Sequence, residues 1–246
     1  SQMAQLYAQE LDNRFLRISR KIFSTIMDTN ETNSTFWENV NLMKNGDYSE
    51  YAIGELREEY FSSAWEYGTE CRIFLYIHET DKLYQLSLSS DGNYTMSPEI
   101  AASIREQIDK LDKKTYAVKR KWDVIECDNE VYICKIAQKN GIALGCVVNV
   151  KSILEPFSKL SLGKHGYVSL VNQDEVYIGM LNQSGIISEP QDMNIKNTYT
   201  IHQELSRAPF EIRIGISLGG VLSLMTGSLL GMTILIFMIL IMSGFL

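Results

Sequence analysis

From residue 214 to residue 246 the chain carries not one charged side chain, and from Leu222 onward it reads LSLMTGSLLGMTILIFMILIMSGFL. A bilayer core needs about 20 consecutive apolar residues in a helix, and a buried core helix of that length would keep a polar stripe. The expectation is a transmembrane helix over 218–246. Ile212 to Ile216 reads as a strand leading into it, with 217–220 as the elbow. Everything before the elbow then reads as a folded body held at a membrane.

Charge and cysteine content narrow what that body does. With 23 Lys plus Arg against 30 Asp plus Glu, the chain is mildly acidic and gives nucleic acid no electrostatic footing. Cys71, Cys127, Cys134 and Cys146 are scattered, without CxxC or His/Cys spacing, so zinc and thioredoxin chemistry are not expected. They read as small buried hydrophobes, with one disulfide open outside the cytoplasm. The opening residues have neither an initiator methionine nor the basic and apolar regions of a signal peptide. The expectation is an excerpt from a longer polypeptide.

Leu11, Phe15, Ile18, Ile22 and Ile26 recur at spacings of three and four, the stripe of a helix over 2–28 long enough to act as a spine or stalk. After the polar break DTNETNST, two helices are expected over 34–42 and 49–67, the second with Tyr51, Leu56, Tyr60, Phe61 and Trp65 on one packing side. The period then shortens. Strands are expected over 71–77, 82–88, 115–126, 131–137 and 142–150, with a helix over 98–111 capped by Ser97 and a hairpin at Asn140-Gly141. A helix over 151–160 joins this group to strands over 167–171, 175–180, 198–205 and 209–216. The fold class is α+β: a long N-terminal helix with two antiparallel-sheet modules, then the membrane helix.

Catalytic patterns are poor. His78, His165 and His202 lie far apart, there is no HExxH or P-loop, and Asp174-Glu175 reads as a solvated hairpin tip. No catalytic residue, metal site or cofactor is expected. Four Asn-x-Ser/Thr triplets begin at Asn30, Asn33, Asn93 and Asn182. They keep open a membrane-anchored ectodomain that binds another protein.

The order of parts resembles the double Cache extracytoplasmic sensor: a long helix, an α/β module ending in GIALGCVVNV, the link SILEPFSKL, the hairpin GYVSLVNQDEVYIG, the strand FEIRIGIS and a span. QLYAQELDNRFLRISRKI is similar to the start of the sensor in YesM-like histidine kinases. The resemblance implies tandem PAS-like sheets in four parts: a spine helix over 1–30, a membrane-distal module over 31–150, a membrane-proximal module over 151–217 and the span over 218–246. It further implies a preceding span, an extracytoplasmic body, a homodimer and a kinase beyond the membrane, the excerpt itself having no enzymatic activity. Chemoreceptors and diguanylate cyclases carry the same sensor. The amino-acid pattern Arg-x-Trp-Tyr of some such sensors is broken here, where Arg120, Lys121 and Trp122 are followed by Asp123. Trp122, Asp123, Tyr132 and Lys135 form the expected ligand wall, an aromatic ring beside charges suiting a polar small molecule. By analogy alone, that molecule is a saccharide.

Overall fold

The computed structural model describes residues 2–27, 35–46, 48–67, 71–88, 92–111, 117–118, 122–127, 129–160, 162–163, 165–182, 185–187 and 198–217. The expected membrane helix over 218–246 lies outside them. Among the described residues, no helix is long and apolar enough to cross a membrane.

Helix α1 (Gln2–Met27) buries the whole stripe of Leu11, Phe15, Ile18, Ile22 and Ile26. Each such side chain contributes about 1.5–3 kcal/mol when removed from water, so the helix is held by its packed face. Helices α2 (Thr35–Asn45) and α3 (Ser49–Tyr67) follow. Of the expected packing side of α3, Leu56 and Tyr60 are buried, but Tyr51 is 61% exposed; Phe61 and Trp65 have side chains outside the described set. Tyr51 is five positions from Leu56, which is 500° of helical rotation and so points well away from it.

The strands form two antiparallel sheets. The first contains β1 (Cys71–Ile77), β2 (Lys82–Gln85), β3 (Ala117–Val118), β4 (Asp123–Cys127), β5 (Glu130–Lys139) and β6 (Ile142–Asn149). Its order is β2-β1-β6-β5-β3, with β4 also paired to β5. One expected strand over 115–126 is therefore two pieces on the same neighbour. Asn140 and Gly141 turn the β5–β6 hairpin with φ of 51° and 77°, the left-handed geometry that two-residue hairpins require. Helix α4 (Pro98–Asp109) starts as expected, with Ser97 Oγ accepting from Ile100 N.

The link between sheets is α5 (Val150–Leu154), tightening to a 3-10 turn over 155–159 at Pro156, which has no N–H to continue the helix. The second sheet has β7 (Tyr167–Asn172), β8 (Tyr177–Asn182), β9 (Gly185–Ile187), β10 (Thr198–Glu204) and β11 (Phe210–Ser217), in the order β10-β11-β7-β8-β9. Strand β9 was not expected. Strand β8 starts two residues later than its pattern suggested, because Asn172 Oδ1 accepts from Asp174 N and Val176 N and Glu175 takes φ of 61°. The four cysteines are free, and Cys71, Cys134 and Cys146 are buried.

One face of the first sheet, through Ile73, Leu75, Ile133 and Leu144, joins the α1 stripe and the second sheet's Val168, Leu170, Phe210 and Ile212 in a continuous core. The opposite face, through Phe74, Tyr76, Cys134, Ile136 and Val147, packs under Ile100, Ile104 and Ile108 of α4. Helix α1 thus serves both sheets, whereas α4 serves only the first.

Candidate functional site

The four residues expected to form a ligand wall are distributed over both faces of the first sheet. Trp122, just before β4, is 3% exposed and lies in the α1-side core, its ring 4.8 Å from that of Phe15. Lys135 is paired in register with Cys146, an α1-side residue, and is 8% exposed. Burial depresses its ammonium pKa, against the opposing pull of Cys146 and Asp123. Tyr132 is buried in the α4-side core, and Asp123 is paired in register with Cys134 of that same core.

The α4 side carries the more complete polar group. Tyr132 Oη donates to Glu130 Oε2 at 2.7 Å, and Asn149 Nδ2 donates to the same oxygen at 2.8 Å. Burial, then the bond to Glu130, pushes the Tyr132 phenol well above its ordinary pKa, while the charge of Arg72 pulls it back. Arg72 belongs to this group by register. It faces Val147 across β1–β6, and Val147 faces Cys134 across β6–β5, so the row Arg72, Val147, Cys134, Asp123 crosses four strands beside the row of Asn149, Tyr132 and Ile125. Arg72 is not among the site residues expected from sequence. Its trace there is a single charge inside the otherwise apolar strand CRIFLYI. At the β1–β2 end of the same face, Tyr76 Oη donates to Asp81 Oδ1 at 2.8 Å, and Arg105 Nε stands 3.6 Å from Asp81. Burial and Asp81 raise the Tyr76 pKa to about 12.

A second polar region sits at one end of the second sheet. A cleft of about 410 Å³ is lined by Asn172, Glu175, Glu204, Phe210, Glu211 and Arg213 among others. Arg213 Nε donates to Glu211 Oε2 at 2.9 Å, a terminal nitrogen of Arg213 stands 3.8 Å from Glu175, and His202 Nδ1 contacts Glu211 Oε1. His202 is a strand residue, paired in register with Arg213, and not part of a turn. Burial opposes ionisation of Glu211, but hydrogen bonds and charge from Arg213 and His202 prevail and lower its pKa. Arg213, Glu211 and His202 partner one another across β10 and β11.

The two regions are connected by α1. Phe15 touches Trp122 and also lies 6.4 Å from the Phe210 ring on β11. Asp12 accepts from Ser206 N and Arg207 N, both at 2.9 Å, and from Ser206 Oγ, fastening the β10–β11 turn to the helix. Tyr7 packs on Phe157 of the link at 5.3 Å, while Lys21 pairs with Glu59 of α3 at 2.8 Å. Among the described residues, no group of three or more His, Cys, Asp or Glu side chains could hold a metal ion.

No family model matches the chain, and no curated protein matches it. Solved structures similar to it include the extracellular domain of the histidine kinase rpHK1S-Z16, at 10% identity over 90% of this chain and 94% of that one, with a TM-score of 0.48. Another is a methyl-accepting chemotaxis protein X, at 8% identity over 87% and 95%, TM-score 0.47. A third is the sensory domain of the Campylobacter jejuni chemoreceptor Tlp3 with isoleucine bound, at 11% identity over 88% and 94%, TM-score 0.38.

Proposed function

We propose that residues 1–217 are the extracytoplasmic ligand-sensing part of a transmembrane receptor, of the histidine kinase type, with 218–246 as its exit helix. In this reading residues 31–150 are the membrane-distal module, 151–217 the membrane-proximal one, and α1 the spine of a homodimer. The observation that carries it is the position of Phe15, in ring contact with Trp122 and near Phe210. A helix packed on both sheets through one close-packed side chain transmits a change at either sheet to the other, because interiors at crystal-like density shift between discrete packings. The last strand, β11, pairs with β7 and β10 as far as Gly215 and Ser217 and leads straight into the uncharged run. Movement of the second sheet is then movement of the exit helix.

Ligand capture beside β4 and β5 biases the equilibrium only as far as the ligand prefers one packing over the other. The receptor responds to a small molecule, for which neutral and charged sugars, amino acids and short peptides are the classes to screen. A thermal-shift screen of the full chain in detergent tests this, because a ligand at 100 times its Kd stabilises by about 2.7 kcal/mol. A specific upward shift is expected; flat curves with every class would overturn the sensing of a small molecule.

A further inference from the structure

Arg72 sits partly buried on the α4-side face of the first sheet, its Nε shielded from solvent and without a hydrogen-bond partner among the described residues. Guanidinium does not give up its proton in proteins, so desolvation cannot be relieved by neutralisation. A buried charge without a counter-charge is among the costlier features a fold can retain. Arg213 and Arg105 show the usual remedy, paired with Glu211 and Asp81, while Arg14 of α1 shares with Arg72 a shielded Nε, unpartnered among the described residues. Of the acidic groups on the Arg72 face, Asp123 lies three strands away along the row, about 14 Å, and two others are turned to other work. Glu130 Oε2 is held by both Tyr132 and Asn149, and Asp81 by Tyr76 and Arg105.

Resting on the sensor reading above, we infer that Arg72 anchors an anionic group, carboxylate or phosphate, of the small-molecule ligand. A fork of N–H donors matches either oxyanion and forms charge-assisted bonds about twice as strong as neutral ones. The row geometry supplies the rest of the contact. Tyr132 and Asn149 lie one row along and up to two strands across from Arg72, about 10 Å in the strand-to-strand direction, the span of a small metabolite. Glu130, oriented by those two side chains, presents a carboxylate to hydroxyl or ammonium donors of the same molecule. The ligand is therefore an anion with hydrogen-bond donors beside its charge, rather than a neutral saccharide.

The test uses the full chain in detergent, with wild type and Arg72→Gln compared by thermal shift and calorimetry at constant ionic strength. Inorganic phosphate, succinate, glucose 6-phosphate, glucuronate and neutral glucose are the probes, with chloride as the reference. Phosphate and glucose 6-phosphate acting alone identify a phosphoryl ligand; succinate and glucuronate acting alone identify a carboxylate. Either result supports the inference when R72Q weakens the apparent affinity about tenfold or more. A second readout is the ligand-free melting point, which R72Q leaves unchanged or raises because it removes an uncompensated charge; a clear fall assigns Arg72 a structural role and overturns the inference. So does the absence of any anion effect, or one that persists in R72Q. Stabilisation by glucose that is equal in both proteins overturns the anion site while the sensor reading stands.

Discussion

Arg72 in the first sheet stands partly buried with its Nε unpaired among the described residues, whereas Arg213 in the second holds Glu211 at 2.9 Å and stands 3.8 Å from Glu175. Both are lone cations in strands that are otherwise mostly apolar, CRIFLYI and FEIRIGIS. In the second sheet the acids that complete the charge are supplied by the fold itself, from the same strand and from the β7–β8 turn. In the first sheet Glu130 and Asp81 are committed to Tyr132, Asn149, Tyr76 and Arg105, and Asp123 lies three strands from Arg72. The difference separates a sheet built to be self-sufficient from one that leaves a charge for an outside partner. Helix α1 ties the two together, so whatever completes the first is felt by the second.

The largest expected effect comes from the shared element. Phe15→Ala removes a buried ring from the junction and is expected to cost about 3–5 kcal/mol. Calorimetry is expected to show the single transition broadening or splitting as the sheets melt separately; an unchanged melting profile would break the picture of a common core. Gly215→Ala acts on the second sheet alone, because a Cβ there would lie 2.1 Å from Tyr167 Cε1 in a fully buried ring. A loss of about 1–3 kcal/mol in denaturant unfolding is expected, with the fluorescence of Trp122 in the native state unchanged. Asp12→Ala removes three hydrogen bonds to the β10–β11 turn and is expected to cost about 1–2 kcal/mol, with faster amide exchange at Ser206 and Arg207.

The smallest effect is electrostatic. Glu211 in the folded chain ionises more readily than its ordinary value of 4.5, so its contribution is fully present above that value. It is lost as the pH falls through the lower folded pKa. Glu211→Gln is therefore expected to flatten the acid limb of a melting-point series below about pH 4.5. An equally steep limb in E211Q would mean that the carboxylates responsible lie elsewhere, and the second sheet would lose its claim to self-sufficiency.

Much of this architecture was legible in the residues because it is locally encoded. The stripe from Leu11 to Ile26, the Ser97 cap and the Asn140-Gly141 turn each follow from backbone geometry and side-chain period, and all three stand in the structure. Strand β9 is only three residues long, too short for a period to register. Pro156 was visible, but whether the chain there stays α-helical or tightens depends on packing against β8. The candidate site was less legible. Trp122, Asp123, Tyr132 and Lys135 are close in sequence, yet register places Lys135 with Cys146 and Asp123 with Cys134, in opposite cores. Arg72 lies about fifty residues before β4 and reaches its row only through the pairing of β1 with β6, which no local pattern announces. Contacts such as Asp12 with Ser206 are equally non-local.

Phe15 joins the two sheets into one coupled unit, and a double-mutant cycle tests this coupling without any ligand. Trp122→Phe and Phe210→Leu alter the two rings that flank Phe15, one on each sheet, and unfolding free energies of both single variants and the pair give their coupling. Residues that share a packed partner couple by about 0.5–3 kcal/mol, whereas independent sites add to within about 0.3–0.5 kcal/mol. A coupling above about 0.5 kcal/mol that vanishes in a Phe15→Ala background is the expected result, and strict additivity in both backgrounds would contradict the account.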